Sequence, residues 1–421
     1  MRFSVFTPSH TIKRIDRTLK SLQAQSFKDF EWIICLNGEA LNSQAELTEK
    51  IGKAKIKYKI LRHEESTDKI GLLKKECCEN ADGEILVELD HDDELSPDCL
   101  EEIHLQDIKN NSDFYYSDDI DIVESSGESI APYSKDGGWE YYTCERTGHI
   151  ASRAFPPNPI SFGYIWYAPN HVRAWKKDFY LKIGGHNPDM DVLDDHELLC
   201  RTYIEGSVTH IAKPLYIYWR HDENTCYGEK NSKIQGLTRE LHDKYILAMA
   251  SKWSDINNLK KIDLCCHASK PRGFIGVDAY KYDDVDIVAD LDKTPWPFED
   301  NSVGVFRCQD AIEHLKSPLT TMKEIYRCLA PNGWAIIEVP STDGRGAFQD
   351  PTHVSFWNAN SFWYYTKQQQ GAFINSPVKF QLNRILDYYP SDYHKTHWIP
   401  YTKAHLVKLQ EGVIPAGGRK I

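Results

Sequence analysis

From residue 3 to residue 89 the chain alternates short β-rich runs with stretches of helical periodicity, and this alternation points to an open, mostly parallel α/β sheet. Phe3-Ser4-Val5-Phe6-Thr7 reads as a first strand ended by Pro8, and Ile12 to Gln25 places Ile15, Leu19 and Leu22 on one helical stripe. Glu31 to Leu36 reads as a second strand closed by Asn37-Gly38, Lys57 to Leu61 as a third, and Leu72 to Asn80 as a helix before the Asp82-Gly83 turn. Glu84 to Leu89 is the fourth strand. It runs straight into Asp90-His91-Asp92-Asp93. In such sheets ligands bind beyond the carboxyl ends of the strands, so the acidic cluster lies where a site is expected.

Residues 130 to 170, rich in Pro, Gly and aromatics, read as a long loop. Alternation resumes over Lys176 to Trp219, and Ile234 to Trp253 reads as a bridging helix. A second α/β pattern has strands at Ile262–Cys266, Phe274–Val277, Asp286–Ala289, Val303–Cys308 and Trp334–Val339. Little periodic signal follows Phe373. The 421 residues therefore divide into 1–228, a helical bridge at 229–258, and 259–421 with a C-terminal tail.

A net charge of -12 opposes general affinity for nucleic acid. No stretch reaches the ~18 apolar residues of a membrane helix, and the opening MRFSVFTPSH lacks the features of a signal peptide. The expectation is a cytoplasmic protein that would meet a lipid-linked acceptor only at the membrane surface. The 11 cysteines include the adjacent pairs Cys77-Cys78 and Cys265-Cys266 but no CxxC pair with zinc spacing, which suits reduced, mostly buried thiols.

The acidic cluster has two readings. One is a solvated turn or helix start. In the other, Ser96 and Pro97 start the next helix unaided, leaving Asp90 and Asp92 free; carboxylates at i and i+2 suit a hard cation, Mn2+ or Mg2+, that holds a diphosphate. Four blocks resemble family-2 glycosyltransferases of the GT-A fold: Phe3 to His10, Glu84 to Leu95, Gly184-Gly185-His186 with Asp194-Asp195-His196-Glu197-Leu198, and Trp219 to Thr225. The resemblance implies that Asp90 contacts the ribose or the metal shell and that Asp92 ligates the metal. It makes Asp195 the general base that takes the acceptor proton, with inversion, and Asp194 a neighbour that raises the pKa of the pair. It also implies His221 as a further metal ligand, against the alternative of a structural histidine. Pro8, Asn37, Glu39 and Lys74 fall on the donor side. Asn37 stands where many relatives carry Asp, and Lys74 or its neighbour Lys75 occupies the basic position aimed at phosphates. For Asp194 and Asp195 the alternative is a helix N-cap.

The second half resembles small Rossmann-like methyltransferases that use S-adenosylmethionine (AdoMet). The blocks are Ile262 to His267, Gly273 to Asp278, Asp286 to Leu291, Pro295 to Phe298, Ala311 to Leu315, Glu324 to Gly333 and Asp350 to His353. The resemblance implies Asp278 for the ribose hydroxyls, Asp290 near the adenine, Asp310 lining the pocket, and Asp263 as a further cofactor-side carboxylate. The sequence departs from the pattern where a glycine-rich turn should follow the first strand: Cys265-Cys266-His267-Ala268 holds no glycine, and His267 to Arg272 is too short for a crossover helix. The aromatic cluster Phe356, Trp357, Phe362, Trp363, Tyr364 and Tyr365 reads as core packing or as a sugar-stacking platform.

The fold expected is α/β, a GT-A nucleotide-diphospho-sugar transferase domain followed by a compact methyltransferase-type domain. The expected function is sugar transfer from a nucleotide-sugar donor to a glycan or lipid-linked acceptor, with sugar O-methylation as a second activity. The alternatives are a purely structural second domain, or a non-catalytic glycan-binding protein.

Overall fold

The strand that delivers the acidic cluster lies mid-sheet, flanked on both sides. β1 (Phe3–Ser9), α1 (Ile15–Gln23), β2 (Phe30–Leu36), α2 (Gln44–Ala54), β3 (Lys57–Arg62), α3 (Ile70–Glu79) and β4 (Ile85–Glu88) alternate in a computed structural model that describes residues 1–65, 67–224 and 230–409. β1 pairs in parallel with β2 and β4, and β2 with β3. Burial of every residue in β1, β2 and β4 explains their apolar character. Pro8 does not end β1. It pairs with Cys35 of β2, while the β4 ladder stops at Phe6–Glu88, so the missing proline N–H leaves no β4 bond unmade.

Beyond β4 the sheet turns mixed. β5 (Glu94–Leu95), α4 (Cys99–Asn110) and β6 (Phe114–Val123) follow. Residues 130 to 170 are not one long loop: β7 (Ser129–Ile130), β8 (Tyr141–Thr143) and β9 (Ile150–Ser152) extend the β6 edge, and α5 (Pro159–Gly163) is capped by Asn158. Tyr133 stacks on Tyr167 with ring centroids 4.5 Å apart, and Trp139 packs on Phe155 at 4.3 Å, so aromatics supply the local core. β10 (Arg173–Lys176), α6 (Lys177–Lys182), α7 (Asp194–Glu205) and β11 (Val208–Arg220) complete the order β3-β2-β1-β4-β10-β6-β11-β5, with β10 antiparallel to β4 and β6.

The chain divides into two units, Met1–Tyr245 and Ile246–Ile421; the division falls inside α8 (Lys230–Ile256), within the stretch read as a bridge. The first half of α8 places Ile234 and Leu241 against Val192 and Leu193, just before α7. In its second half, Ser254 lies so close to Gly304 that a Cβ there would stand 2.3 Å from its Oγ.

The second unit carries β12 (Lys260–Leu264), β13 (Ile275–Asp278), β14 (Ile287–Val288), β15 (Val303–Gln309), α9 (Pro318–Cys328), β16 (Leu329–Pro340), β17 (Phe380–Tyr388) and β18 (Tyr401–Lys408). The order is β14-β13-β12-β15-β16-β18-β17, parallel except for β18, which runs antiparallel to both its neighbours. This is the expected Rossmann-like sheet. No helix joins β12 to β13, as the short spacing implied. The region after Phe373 corrects the sequence reading, since β17 and β18 form a buried-edge hairpin there; the last part of the tail, 410–421, lies outside the described residues, as does Thr225 of the fourth block. Trp357, Phe362 and Tyr365 belong to the core, whereas Phe356 and Tyr364 are exposed. All ten described cysteines are unbridged. Among the described residues, no helix is long and apolar enough to cross a membrane.

Candidate active site

The cluster after β4 is a turn pinned from two sides. Asp93 N donates to the Asp90 carbonyl at 3.3 Å, Thr18 Oγ1 to the Asp93 carbonyl at 3.0 Å, and Arg17 Nη1 to the Asp92 carbonyl at 2.9 Å. Asp93 faces inward and is structural: Tyr216 Oη donates to it at 2.9 Å and Trp219 N at 2.8 Å. The helix start is as expected in that the cluster takes no part: α4 begins at Cys99, after Asp98, whose carboxylate accepts from Ser96.

Asp92 and His221 meet, with Oδ2 2.8 Å from Nε2. Glu223 N donates to His221 Nδ1 at 3.2 Å, which places the proton of a neutral ring on Nε2 and makes it a donor to Asp92. His221 thus orients the Asp92 carboxylate, and the hydrogen bonds do not leave Nε2 a free lone pair for a metal. Asp92 retains a second oxygen, and Asp90 lies two residues away. This carboxylate set fits a hard divalent ion.

Behind the turn lies a buried charge network. Glu88 closes β4 in the interior, with Lys74 Nζ at 2.6 Å, Arg173 Nη1 at 3.8 Å and His171 Nε2 at 3.9 Å. Lys74 also reaches Asp194 at 3.3 Å, and Arg173 ion-pairs with Asp195. Gly71 makes this possible. A Cβ there would stand 2.0 Å from the Asn187 carbonyl oxygen, so glycine lets α3 press against the chain leading into α7. Leu193, at φ 59°, takes the position before α7, and Asp195, inside the first turn, accepts from His196 N at 2.7 Å with Oδ1 while Oδ2 meets Arg173. Burial raises Asp90 to about 7 and Asp194 to about 6, partly offset by Lys74. For Asp195 burial opposes ionisation, but Arg173 and Lys74 prevail and hold it well below the carboxylate range. Burial lowers His186 to about 3 and His196 to about 4, so both stay neutral.

Of the donor-side residues, Pro8 lies buried in β1. Asn37 donates to the His63 carbonyl at 3.1 Å and the Glu65 carbonyl at 2.8 Å, tying the ends of β2 and β3 together. Glu39 is exposed at the start of a short 3-10 helix, Gly38–Ser43. The Lys74 ammonium is engaged by Glu88 and Asp194 instead of facing a phosphate. Sequence reasoning missed Glu88 and Arg173. The one available signal was Glu88 at the end of the otherwise apolar β4; β10, Arg173-Ala174-Trp175-Lys176, carries a charge at each end and gave none.

In the second unit each of the four carboxylates read as cofactor ligands has a partner within the protein. Asp263 lies within β12 and takes both of its bonds from Arg307 Nη1, each at 2.9 Å. Asp278, at the end of β13, accepts from His267 N at 3.0 Å and Tyr280 N at 3.1 Å. Asp290 is exposed and accepts from Asp292 N at 3.1 Å; Asp310 interacts with Tyr401. Cys265 and His267 have φ of 52° and 48°, left-handed values that favour glycine. The His267 ring packs on Tyr282 at 4.1 Å. Each carboxylate is thus engaged within its own unit, and the turn carries side chains where close backbone approach is needed.

Residues 4–154 match the model of glycosyl transferase family 2, and residues 266–337 that of a methyltransferase domain. The chain joins a family-2 glycosyltransferase domain to a methyltransferase-type domain. Among solved structures it is similar to S. aureus TarS 1-349 in complex with UDP-GlcNAc, with 15% identity and a TM-score of 0.45, covering 60% of this chain and 72% of that one. Similarity to S. aureus TarS itself is 16% at a TM-score of 0.43 over 56% of this chain, spanning 39% of the TarS length. GalNAc-T7 with UDP, GalNAc and Mn2+ shows 13% identity and a TM-score of 0.43, covering 57% of this chain and 48% of its own. No curated protein matches the chain.

Proposed function

We propose that the N-terminal domain is an inverting, metal-dependent glycosyltransferase that moves a sugar from a nucleotide-sugar donor to a hydroxyl of a glycan or lipid-linked saccharide. The observation that supports this reading is that Glu88, which closes β4 just before the acidic turn, and Asp194-Asp195, at the start of α7, are joined by the same two buried cations: Lys74 pairs with Glu88 and Asp194, and Arg173 lies against Glu88 and pairs with Asp195. Asp92 and Asp90 would hold Mn2+ or Mg2+, which when bound supplies positive charge opposite the departing diphosphate. His221 fixes the Asp92 carboxylate. Arg173 keeps Asp195 ionised at every working pH, so an acceptor hydroxyl always meets a carboxylate. The same guanidinium weakens Asp195 as a base, so proton transfer comes late, once the attacking oxygen has bonded to the anomeric carbon and turned acidic. Lys74 acts as a positioning residue for Asp194 and Glu88. The test is a screen of UDP-, GDP- and dTDP-sugars with Mn2+, comparing wild type with Asp92→Ala and Asp195→Asn. If the wild type neither binds nor turns over any donor, the reading fails.

The methyltransferase match favours a second reading, in which the C-terminal domain methylates a sugar hydroxyl using AdoMet. The engaged carboxylates and the glycine-free turn weigh toward a structural or acceptor-binding domain. Calorimetry with AdoMet on the full chain decides: heat of binding saturating below millimolar cofactor supports methylation, and none supports the structural domain.

A further inference from the structure

Beyond the carboxyl end of β15 lies a group of side chains that sugar transfer does not use. Glu313 and His314 stand on the short 3-10 turn Ile312–His314, and His353 lies on the segment after the Gly346–Gln349 turn of helix. One Glu313 oxygen and one ring nitrogen of each histidine all lie within 4.8 Å of one another. The two chain segments are tied together, since Val354 N and Ser355 N both donate to the Glu313 carbonyl, at 2.9 and 3.0 Å.

Two independent features point to a ligand. Glu313 is 2% exposed and neither of its carboxylate oxygens has a hydrogen-bond partner in the structure. No Lys or Arg pairs with it among the described residues. A carboxylate buried in this way costs several kcal/mol unless something compensates it. The second feature is the setting of the two rings. His353 Nδ1 donates to the Ala347 carbonyl at 3.1 Å. His314 Nδ1 lies 3.2 Å from the Thr352 carbonyl and 3.1 Å from Thr352 Oγ1, whose own proton goes to Asp350 at 2.6 Å. Both rings therefore carry their proton on Nδ1 and keep the Nε2 lone pair, the arrangement in which a backbone carbonyl orients a metal-binding imidazole. Asp350 Oδ2, 4.0 Å from His353 Nε2, stands by as a further oxygen.

The geometry points to a divalent metal site formed by Glu313, His314 and His353 in the C-terminal domain, suited to a transition ion such as Zn2+. Two imidazoles with one carboxylate favour such an ion over Ca2+ or Mg2+. Three protein ligands leave coordination positions open, the pattern of a reactive site and not of a closed structural one. The carboxyl edge of the sheet is where a Rossmann-like fold presents its ligands. The site does not depend on the sugar-transfer reading.

The test uses the full chain, stripped with a chelator and titrated with Co2+ and Zn2+, following visible Co2+ ligand-field absorption and retained metal. Wild type and Asp92→Ala should each bind one tight equivalent with the same spectrum. His353→Gln and Glu313→Gln should lose at least about tenfold in affinity, the loss that even an outer partner causes, with circular dichroism unchanged. Glu313→Gln relieves a buried charge, so its folding is secure if the His353 variant fails. Wild-type affinity and spectrum in Glu313→Gln overturn the site, as does the absence of tight binding in the wild type. Loss of the equivalent in Asp92→Ala alone overturns it by assigning the metal to the N-terminal domain.

Discussion

Both sheets bury carboxylates at their carboxyl edges, but they compensate them differently. In the first unit Glu88, Asp194 and Asp195 meet Lys74 and Arg173, cations supplied by α3 and β10. In the second, Glu313 meets two imidazoles and, among the described residues, no lysine or arginine. The histidines differ in the same sense: His221 turns Nδ1 to an N–H and gives its proton to Asp92, whereas His314 and His353 turn Nδ1 to carbonyls and keep Nε2 open. The contrast teaches that a buried carboxylate and a histidine are not by themselves a metal site; what the far ring nitrogen touches decides their chemistry.

The comparison can be broken most sharply at Asp92. Asp92→Ala should reduce sugar transfer by about a thousandfold, the scale of losing one preorganised transition-state contact, while leaving the melting temperature within a degree or two; donor turnover with Mn2+ measures it. Next is Arg173→Met, which strands Asp195 while Lys74 still holds Glu88, and should cost about 3–5 kcal/mol in urea unfolding. Glu313→Gln in metal-free protein should cost nothing or stabilise, because no cation is lost with it; equal losses for the two variants would erase the distinction. Gly71→Ala should cost about 1–3 kcal/mol by forcing α3 off Asn187, with kcat falling as Lys74 withdraws from Asp194. The smallest effect concerns pH. The folded pKa of Asp194, about 6, lies above the unfolded value of about 3.9. The native state therefore binds the proton more tightly, and stability is lost as pH rises from about 4 to 6, then levels off. Asp194→Asn lacks this term, so its melting temperature should gain on the wild type across that interval and run parallel above it.

β1 to β4 were legible to within one or two positions, and for β1, β2 and β4 the reason is burial on both faces, which leaves near-continuous apolar runs such as Trp32 to Leu36; the two-residue β5 was not legible. β17 and β18 were not, because Phe380–Tyr388 and Tyr401–Lys408 mix charged and apolar residues without a clear period. At the site, the acidic turn and Asp194-Asp195 stood out as local patterns. The Glu88–Lys74–Arg173 network did not, since its members are brought together by sheet order across about 100 residues of sequence. The displacement of Lys74 from donor to interior has the same origin: its neighbours in the sequence show a helix, and only the fold shows which face of that helix is buried.

The helix α8 runs unbroken through the division between the units. Its first half shields the chain leading into Asp194 and Asp195, and its second half seats against Gly304 of β15. Severing the chain at 228 would bare Val192 and Leu193, and severing it at 258 would leave the second sheet without Ser254 and its neighbours.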